Sequence, residues 1–231
     1  MDGLPACPDQ NSANMKSAVI IDNGEFPKKE YPRYLLKNAD YIICCDGALN
    51  KYFRNMKAIF GKERMPDIVI GDMDSISPAA HSRFTGKTVH ESGQDDNDQT
   101  KAVRYVAGMM KDVDEIHIIG GSGAREDHTI GNLSLLMEYA RTYGERPYIE
   151  MVSDYSTAFA LTDTAEIQCG EGRSVSIFSP DNTLTIKSKG LRWPTDGVIF
   201  DNWWKATLNK ADEDTVRLEF SHPSVALVIL D

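Results

Sequence analysis

The stretch DIVIGDMDSI, Asp67–Ile76, decides how the rest of the chain is interpreted. Its apolar part, Ile68–Ile70, predicts a short buried strand that ends at Gly71. Asp72 and Asp74 follow directly, and carboxylate oxygens at a strand end suit a hydrated divalent cation such as Mg²⁺. An isolated Asp-x-Asp is more often a plain turn. The metal interpretation gains weight here because other strand ends of this chain carry similar polar loops.

On both sides of this stretch, short apolar runs alternate with segments of helical periodicity. This alternation predicts an α/β domain with a doubly wound, mostly parallel sheet over residues 17–153. Its predicted strands are Ala18–Ile21, Tyr41–Cys45, Ile68–Ile70, Thr88–His90, Ile116–Ile119 and Tyr148–Val152. Its predicted helices are Tyr31–Ala39, Ala48–Ala58, Pro78–Phe84, Thr100–Lys111 and His128–Tyr143.

From about residue 154 the pattern changes to short strands separated by Gly, Pro, Asp and Asn turns, without helical stretches between them. This pattern predicts a C-terminal antiparallel β-sandwich domain over residues 154–231. The predicted strands are Ala165–Cys169, Ser174–Phe178, Leu184–Lys187, Val198–Phe200, Lys205–Leu208, Val216–Phe220 and Val225–Leu230. Residues 1–16 are polar, lack the pattern of a secretory signal, and are expected to form a flexible N-terminal extension.

The charge of the chain restricts its partners. With 25 Lys and Arg against 35 Asp and Glu, the net charge is −10, so we expect neither nucleic acid nor a membrane as a partner. No apolar run approaches membrane-spanning length. The cysteines show no Cys-x-x-Cys spacing and are interpreted as small buried side chains in a reducing compartment. We therefore expect a cytoplasmic protein.

Polar loops follow five of the predicted strands. They begin at Asp22, Asp46, Gly71, Gly93 and Gly120. In a parallel sheet the carboxyl ends of all strands meet at one edge, and ligands bind there. Five such loops at one edge predict a ligand site.

The fourth of these loops is rich in acids. Asp95, Asp96 and Asp98 lie just ahead of a predicted helix, where an Asp usually caps the helix. Three acids exceed what one cap needs, so they could also complete the metal site. Lys101 lies three residues after Asp98, on the same helix face. A cation beside a carboxylate at a helix N-terminus suits a metal with a phosphate opposite it.

The fifth loop is rich in glycine. Gly120, Gly121 and Gly123 permit close approach of the backbone to a ligand, and Arg125 offers a planar fork that suits a phosphate. A plain turn between strand and helix explains the glycines equally well. His128 could be a metal ligand or general base, or could simply make local hydrogen bonds at the helix start.

In their order along the chain, these motifs resemble those of the thiamine pyrophosphokinase family. The matching segments, within about residues 18–230, are Asp46–Asn50, Gly71–Ser75, Gln94–Lys101, Gly120–His128, Gly190–Trp193 and Thr207–Asn209. The chain departs from the family pattern at Ala48, Asn97 and Leu208, where the family has Gly, Thr and Ser.

The resemblance implies a homodimer with shared active sites that transfers the diphosphate of ATP to the hydroxyl of thiamine, giving thiamine diphosphate and AMP, with Mg²⁺ as cofactor. It implies the catalytic carboxylates Asp46, Asp72, Asp74, Asp98 and Asp127, of which Asp72, Asp74 and Asp98 would hold the metal. It implies contacts to ATP or its phosphates from Asn50, Asn97, Lys101, Gly120, Gly121, Arg125 and His128. It implies thiamine contacts from Gln94, Asn209 and Trp193 of the partner subunit.

Two other functions stay open at the level of sequence. Carboxylate clusters with Mg²⁺ also serve hydrolysis, so a metal-dependent nucleotide phosphohydrolase fits the same loops. A non-catalytic sensor that binds a nucleotide or thiamine is left open by the departures at Asn97 and Leu208.

Overall fold

The computed structural model describes residues 15–93 and 95–231 of the chain. Within them the chain forms two compact units. One unit holds the chain from Met15 to Leu135 together with Arg146–Asp154, and the other holds Leu136–Glu145 and Tyr155–Asp231. Gln94 and most of the predicted N-terminal extension lie outside the described residues, so nothing tests the predictions made for them.

The first unit contains the predicted alternation of strands and helices. The strands are β1 (Ser17–Ile21), β2 (Tyr41–Cys45), β3 (Ile68–Gly71), β4 (Lys87–His90), β5 (Glu115–Ile119) and β6 (Tyr148–Val152). The helices of the chain are α1 (Glu30–Asn38), α2 (Ala48–Phe60), α3 (Pro78–Arg83), α4 (Asp98–Met109) and α5 (Glu126–Tyr143). Each prediction for these elements is confirmed, with ends that differ by two residues or fewer.

The six strands pair in the order β6-β5-β1-β2-β3-β4, and every pair is parallel. Val19, Cys44 and Val69 pack on one face with buried residues of α1, α2 and α3. The helix α4 packs against β1, β2 and β3, and its buried residues are absent from that cluster, which places α4 on the opposite face. The predicted doubly wound sheet is therefore confirmed.

Helix α2 shows why these segments fold as they do. Its buried side chains Leu49, Tyr52, Met56 and Ile59 recur at the spacing of one helix face, so burial of that face stabilises the helix against the sheet. The helix ends at Gly61, whose φ of 68° is favourable for glycine and whose N–H donates to Lys57 O at 2.9 Å.

The second unit is an antiparallel β-sandwich, as predicted. Its strands pair in the order β11-β9-β13-β7 on one side of the sandwich and in the order β10-β12-β8 on the other. The strands are β7 (Thr157–Leu161), β8 (Ala165–Gln168), β9 (Ser174–Phe178), β10 (Ile186–Lys189), β11 (Asn209–Lys210), β12 (Thr215–Phe220) and β13 (Ala226–Leu230). Apolar side chains of the two sheets form one buried cluster, with Val175 and Val228 from the first and Ile186 and Leu218 from the second. No helix in the described chain is long and apolar enough to cross a membrane.

Two strand predictions in this unit are wrong. Val198–Phe200 and Lys205–Leu208 form turns and irregular backbone. Turns close these segments, since Val198 N donates to Thr195 O at 2.9 Å and Thr207 N donates to Trp204 O at 3.3 Å. Ala206 O accepts from Ile177 N at 2.9 Å. Ile199 and Leu208 are exposed, whereas Phe200 and Ala206 are buried in the core of the unit, and Leu208 has a left-handed φ of 56°. Conversely, β7 was not predicted, because it follows the polar segment chosen as the domain boundary.

Candidate functional site

The path of the chain through the sheet reverses at β1. From β1 it passes through β2 and β3 to β4 on one side, and β5 and β6 then lie on the other side. In open α/β sheets, ligands bind at such a switch point, outside the carboxyl ends of the strands. A cleft of about 440 Å³ lies at these ends. It is lined by the predicted site residues Asp46, Asp72, Asn97, Asp98, Lys101, Gly120, Gly121, Arg125 and His128.

Three carboxylates converge at this cleft and form its acidic cluster. Asp46, Asp72 and Asp74 each bring one carboxylate oxygen within 4.8 Å of the others. Asp46 has a left-handed φ of 39°, and Gly71 has a φ of 147°. A Cβ at Gly71 would lie 2.8 Å from Asp46 Cβ, so only glycine lets the end of β3 approach Asp46 this closely.

The acidic cluster fits a divalent cation. Asp46 Oδ1 is buried and has no hydrogen-bond partner among the described residues, which leaves an anionic oxygen uncompensated. Burial raises the pKa of Asp46, hydrogen bonds from Ser75 and the Gly47 backbone lower it in part, and the charges of Asp98 and Asp72 raise it further. Hard oxygen donors of this kind are the ligands that Mg²⁺ prefers.

Asp98 lies at the same cleft but pairs with a lysine. Its Oδ1 accepts from Lys101 Nζ at 3.0 Å, in the i,i+3 arrangement that the sequence indicates. Lys101 is only 4% exposed. A buried ammonium at a helix start, balanced by a single carboxylate, is suited to an anionic ligand. In the described chain the cluster of converging oxygens contains Asp46 rather than Asp98.

Two asparagines fix the glycine-rich loop. Asn97 caps α4, since its Oδ1 accepts from Thr100 N at 2.9 Å. Its Nδ2 donates to Asn132 Oδ1 at 2.9 Å, and Asn132 Nδ2 in turn donates to Gly121 O at 2.8 Å. This chain of hydrogen bonds links the starts of α4 and α5 to the loop after β5. Asn97 therefore has a structural role at the cleft whatever it contacts in a ligand.

The glycines of this loop allow a tight fold of the backbone. Gly120 has a φ of 72°, and a Cβ there would lie 2.6 Å from Asp22 O. A Cβ at Gly121 would lie 2.4 Å from Met151 Sδ. The loop consequently passes very close to β1 and β6 at the edge of the sheet, which is where its backbone can approach a ligand.

Arg125 and Asp127 form an exposed ion pair at the start of α5. Arg125 Nε donates to Asp127 Oδ1 at 3.0 Å, and Nη2 donates to Oδ2. Asp127 Oδ1 also accepts from His128 N at 2.9 Å. Of the three, Arg125 and His128 line the cleft. Asp127 orients the guanidinium and leaves it 69% exposed at the mouth of the cleft.

Asp22, for which no role is predicted from the sequence, also lines the cleft. Burial raises the pKa of this carboxyl to about 7, the Cys45 thiol lowers it in part, and the charge of Asp98 raises it. Neither Asp22 oxygen has an N–H or O–H donor among the described residues. The available signal was its position directly after β1, beside the switch point of the sheet.

In the second unit, Asn209 positions Trp193. Trp193 is 57% exposed, whereas Asn209 is buried on β11. Both polar atoms of the Asn209 amide bind the Trp193 main chain. Trp203 and Trp204 are also exposed, so none of the three tryptophans belongs to the core of the described chain. Gln94, the third residue predicted to contact thiamine, lies outside the described residues.

These features define the class of the protein: a two-domain chain in which a doubly wound α/β unit carries an acidic ligand cleft at its switch point and an antiparallel β-sandwich follows. Family models match both parts. The model "Thiamin pyrophosphokinase, catalytic domain" matches residues 32–146, and "Thiamin pyrophosphokinase, substrate-binding domain" matches residues 158–224. The chain belongs to the thiamin pyrophosphokinase family.

Individual relatives agree with this assignment. Thiamine pyrophosphokinase 1 of Oryza sativa subsp. japonica is 28% identical over 239 residues, which cover 93% of this chain and 87% of that protein. The fold is similar to that of thiamine pyrophosphokinase from Bacillus subtilis, with a TM-score of 0.74, 18% identity, and coverage of 94% of this chain and 99% of the other. Thiamin pyrophosphokinase from Candida albicans gives a TM-score of 0.73 at 17% identity, with coverage of 94% and 88%.

Proposed function

We propose that this chain is a thiamine diphosphokinase that transfers the diphosphate of ATP to the hydroxyl of thiamine and releases thiamine diphosphate and AMP. The observation that carries the proposal is the presence on one chain, in order, of the family's catalytic and substrate-binding domains. The relative from Oryza sativa is named for the same activity. The acidic cluster of the cleft falls within the catalytic-domain match, at residues 46–74.

Mg²⁺ would be held by the acidic cluster. Asp46, Asp72 and Asp74 offer converging hard oxygens, and Asp46 Oδ1, which has no partner in the part of the chain that the structure describes, supports a cation there. Asp98 lines the same cleft and stays a predicted ligand. When bound, Mg²⁺ would neutralise charge on the phosphate oxygens of ATP. This compensation explains how a cleft rich in carboxylates can receive a triphosphate.

The remaining cleft residues would bind and orient the phosphates. Lys101 supplies a buried ammonium, Arg125 a planar fork, and the loop at Gly120 and Gly121 a close backbone surface. In the reaction, the thiamine hydroxyl attacks the β-phosphorus and the bond to the α-phosphate oxygen breaks. Phosphoryl transfer of this kind depends mainly on in-line positioning and charge stabilisation, which are what these residues offer.

Thiamine would be held by Gln94 and by Trp193 of the partner subunit in a homodimer. An exposed indole face is suited to the flat, cationic thiazolium ring. The contacts of Asn209 with the Trp193 main chain favour a role in holding that indole over a direct contact with thiamine. A net charge of −10 also favours a cationic substrate, and we expect the enzyme to act in the cytoplasm.

The test is to incubate the purified chain with ATP, Mg²⁺ and thiamine and to identify the products by mass spectrometry. The proposal expects AMP and thiamine diphosphate in equal amounts, and no product with EDTA. Release of ADP or phosphate without dependence on thiamine would instead identify a nucleotide phosphohydrolase. Binding of both ligands without turnover would identify a sensor.

A further inference from the structure

The first turn of α2 is tied to two loops of the cleft through adjacent side chains. Asn50 contacts the loop that follows β3, which carries Asp72 and Asp74. Lys51 Nζ donates to Asn23 O at 2.5 Å and to Gly24 O at 2.6 Å, in the loop that follows β1. The helix therefore acts as a support for two separate strand ends.

Both polar atoms of the Asn50 side chain are used in this way. Its Nδ2 donates to Ser75 O at 2.8 Å and to Gly47 O at 3.1 Å. Its Oδ1 accepts from Ser77 N at 3.0 Å. The Asn50 amide thus makes hydrogen bonds to the loop after β3 on both sides of Ile76. It leaves little hydrogen-bonding capacity for a ligand, and Asn50 does not line the cleft in the described chain.

One of the two serines that Asn50 contacts, Ser75, is itself hydrogen-bonded to the acidic cluster. Ser75 Oγ donates to Asp74 Oδ1 at 2.8 Å, and Asp74 N donates to Asp72 Oδ1 at 3.3 Å. The loop also passes close to α2 because residue 47 is glycine: a Cβ there would lie 3.1 Å from Ser75 Cβ. These hydrogen bonds connect the Asn50 amide to both carboxylates through Ser75.

We propose that Asn50 is a positioning residue of the metal site, whose amide holds the loop after β3 so that Asp72 and Asp74 converge with Asp46. This role replaces the contact with ATP that the family resemblance implied for Asn50. It rests on the proposed function, because the Mg²⁺ site is part of that function. Residues that orient metal ligands typically change metal affinity about 10- to 100-fold when they are removed.

The test measures binding of Mn²⁺ as a probe for the metal, by electron paramagnetic resonance on the full chain without nucleotide. Asn50→Ala should weaken Mn²⁺ binding about 10-fold or more. Asn55→Ala is the matched control, since Asn55 lies on the same helix and, within the described residues, its Nδ2 donates to Lys51 O of that helix at 2.8 Å. This control should bind Mn²⁺ like the wild type.

Two further measurements separate positioning from contact with the nucleotide. In EDTA, Asn50→Ala should bind ATP as tightly as the wild type, and its activity should recover when Mg²⁺ is raised. Asn50→Gln keeps the amide but displaces it by one methylene, so this variant should also weaken Mn²⁺ binding. If the alanine variant does not fold, the Mn²⁺ affinity of Asn50→Gln tests the proposal instead.

Unchanged Mn²⁺ affinity in a folded Asn50 variant would overturn the proposal, as would a loss of ATP affinity in EDTA. If the wild type itself bound no Mn²⁺, the metal site of the proposed function would fail and this inference with it. If the wild type bound Mn²⁺ and made thiamine diphosphate while the Asn50 variants bound Mn²⁺ equally well, only the inference would fail.

Discussion

The side-chain amide of Asn209 binds the main chain of Trp193 both as a hydrogen-bond donor and as an acceptor. Asn209 Nδ2 donates to Trp193 O at 2.7 Å, and Asn209 Oδ1 accepts from Trp193 N at 3.2 Å. Asn209 is itself fixed on β11, which pairs with β9. The exposed indole therefore extends from a firmly held main-chain position, which favours its use as a stacking surface for a ligand.

The first prediction concerns this indole. Trp193→Ala should raise the KM for thiamine about 2- to 30-fold, because stacking on a cation contributes about 0.5–2 kcal/mol, and should leave the KM for ATP nearly unchanged. Steady-state kinetics with each substrate varied in turn measures the two constants. Trp204→Ala removes another exposed indole of the same unit and serves as the control. Equal effects of the two substitutions on thiamine KM would refute the special role of Trp193.

The second prediction concerns the acidic cluster. Asp74→Asn keeps the shape of the side chain but removes one of three converging charges, so Mg²⁺ binding should weaken and turnover at limiting Mg²⁺ should fall at least about 10-fold. The loop contributes little to the core, so the melting temperature should stay the same. Asp112→Asn, an exposed acid of the same unit, is the control. Turnover like that of the wild type at limiting Mg²⁺ would exclude Asp74 as a ligand.

The third prediction concerns the ion pair at the start of α5. Arg125→Lys keeps the positive charge but loses the planar fork, so ATP should bind more weakly while thiamine binding changes little. Calorimetry with each ligand separately tests this. Arg141→Lys, on the exposed surface of the same helix, should alter neither affinity. Unchanged ATP affinity in Arg125→Lys would remove this residue from the phosphate site.

The edge of the α/β sheet could be predicted from sequence because its signals are local. Each apolar run that ends in Asp or Gly, such as the run before Asp46, is a strand followed by a polar loop in the structure. Parallel pairing then brings these loops together by geometry alone. The ion pair between Asp98 and Lys101 is likewise a matter of helix spacing.

The remaining features depend on contacts between distant residues, which a single sequence does not display. Asn50 falls in a recognisable motif, yet its contacts with Ser75 and Ser77 follow only from the approach of two loops. The segment from Val198 to Leu208 has the apolar composition of strands, but it forms turns and irregular backbone in which Phe200 and Ala206 are buried while Leu208 is exposed. Composition alone does not distinguish a strand from an irregular segment that buries some of its apolar side chains.

The fourth prediction concerns Asp22 and pH. Burial raises the pKa of this carboxyl to about 7 in the folded chain, against an ordinary value of 3.8. The unfolded chain therefore loses its proton first, and folded stability falls as pH rises from about 4 to about 7. Asp22→Asn removes this pH-dependent loss of stability. In EDTA, the melting temperature of the variant should therefore be higher than that of the wild type at pH 8 and equal to it at pH 4.

The size of this effect follows from the linkage between pKa and stability. Each pKa unit corresponds to about 1.4 kcal/mol, and 1 kcal/mol shifts the melting temperature of a chain of this size by about 2–4 °C. Asp40→Asn, which replaces an exposed carboxylate near the amino end of β1, should show no such gain. A lower melting temperature for Asp22→Asn at pH 8 would mean that the carboxylate stabilises the fold.

The last prediction concerns the shared active site of the proposed homodimer. If Trp193 acts on the thiamine bound at the partner's cleft, each site is built from the acidic cluster of one chain and the indole of the other. Asp74→Asn and Trp193→Ala then damage opposite halves of a site. In a mixed dimer, one site carries both defects and the other carries none.

Mixing the two variants at limiting thiamine and Mg²⁺ should therefore restore activity, up to about one quarter of the wild-type level. This level is expected because random exchange makes half of the dimers mixed and each mixed dimer has one intact site. Size-exclusion chromatography with one labelled variant confirms the exchange. Activity that stays at the average of the two variants despite exchange would mean that both halves of the thiamine site come from one chain.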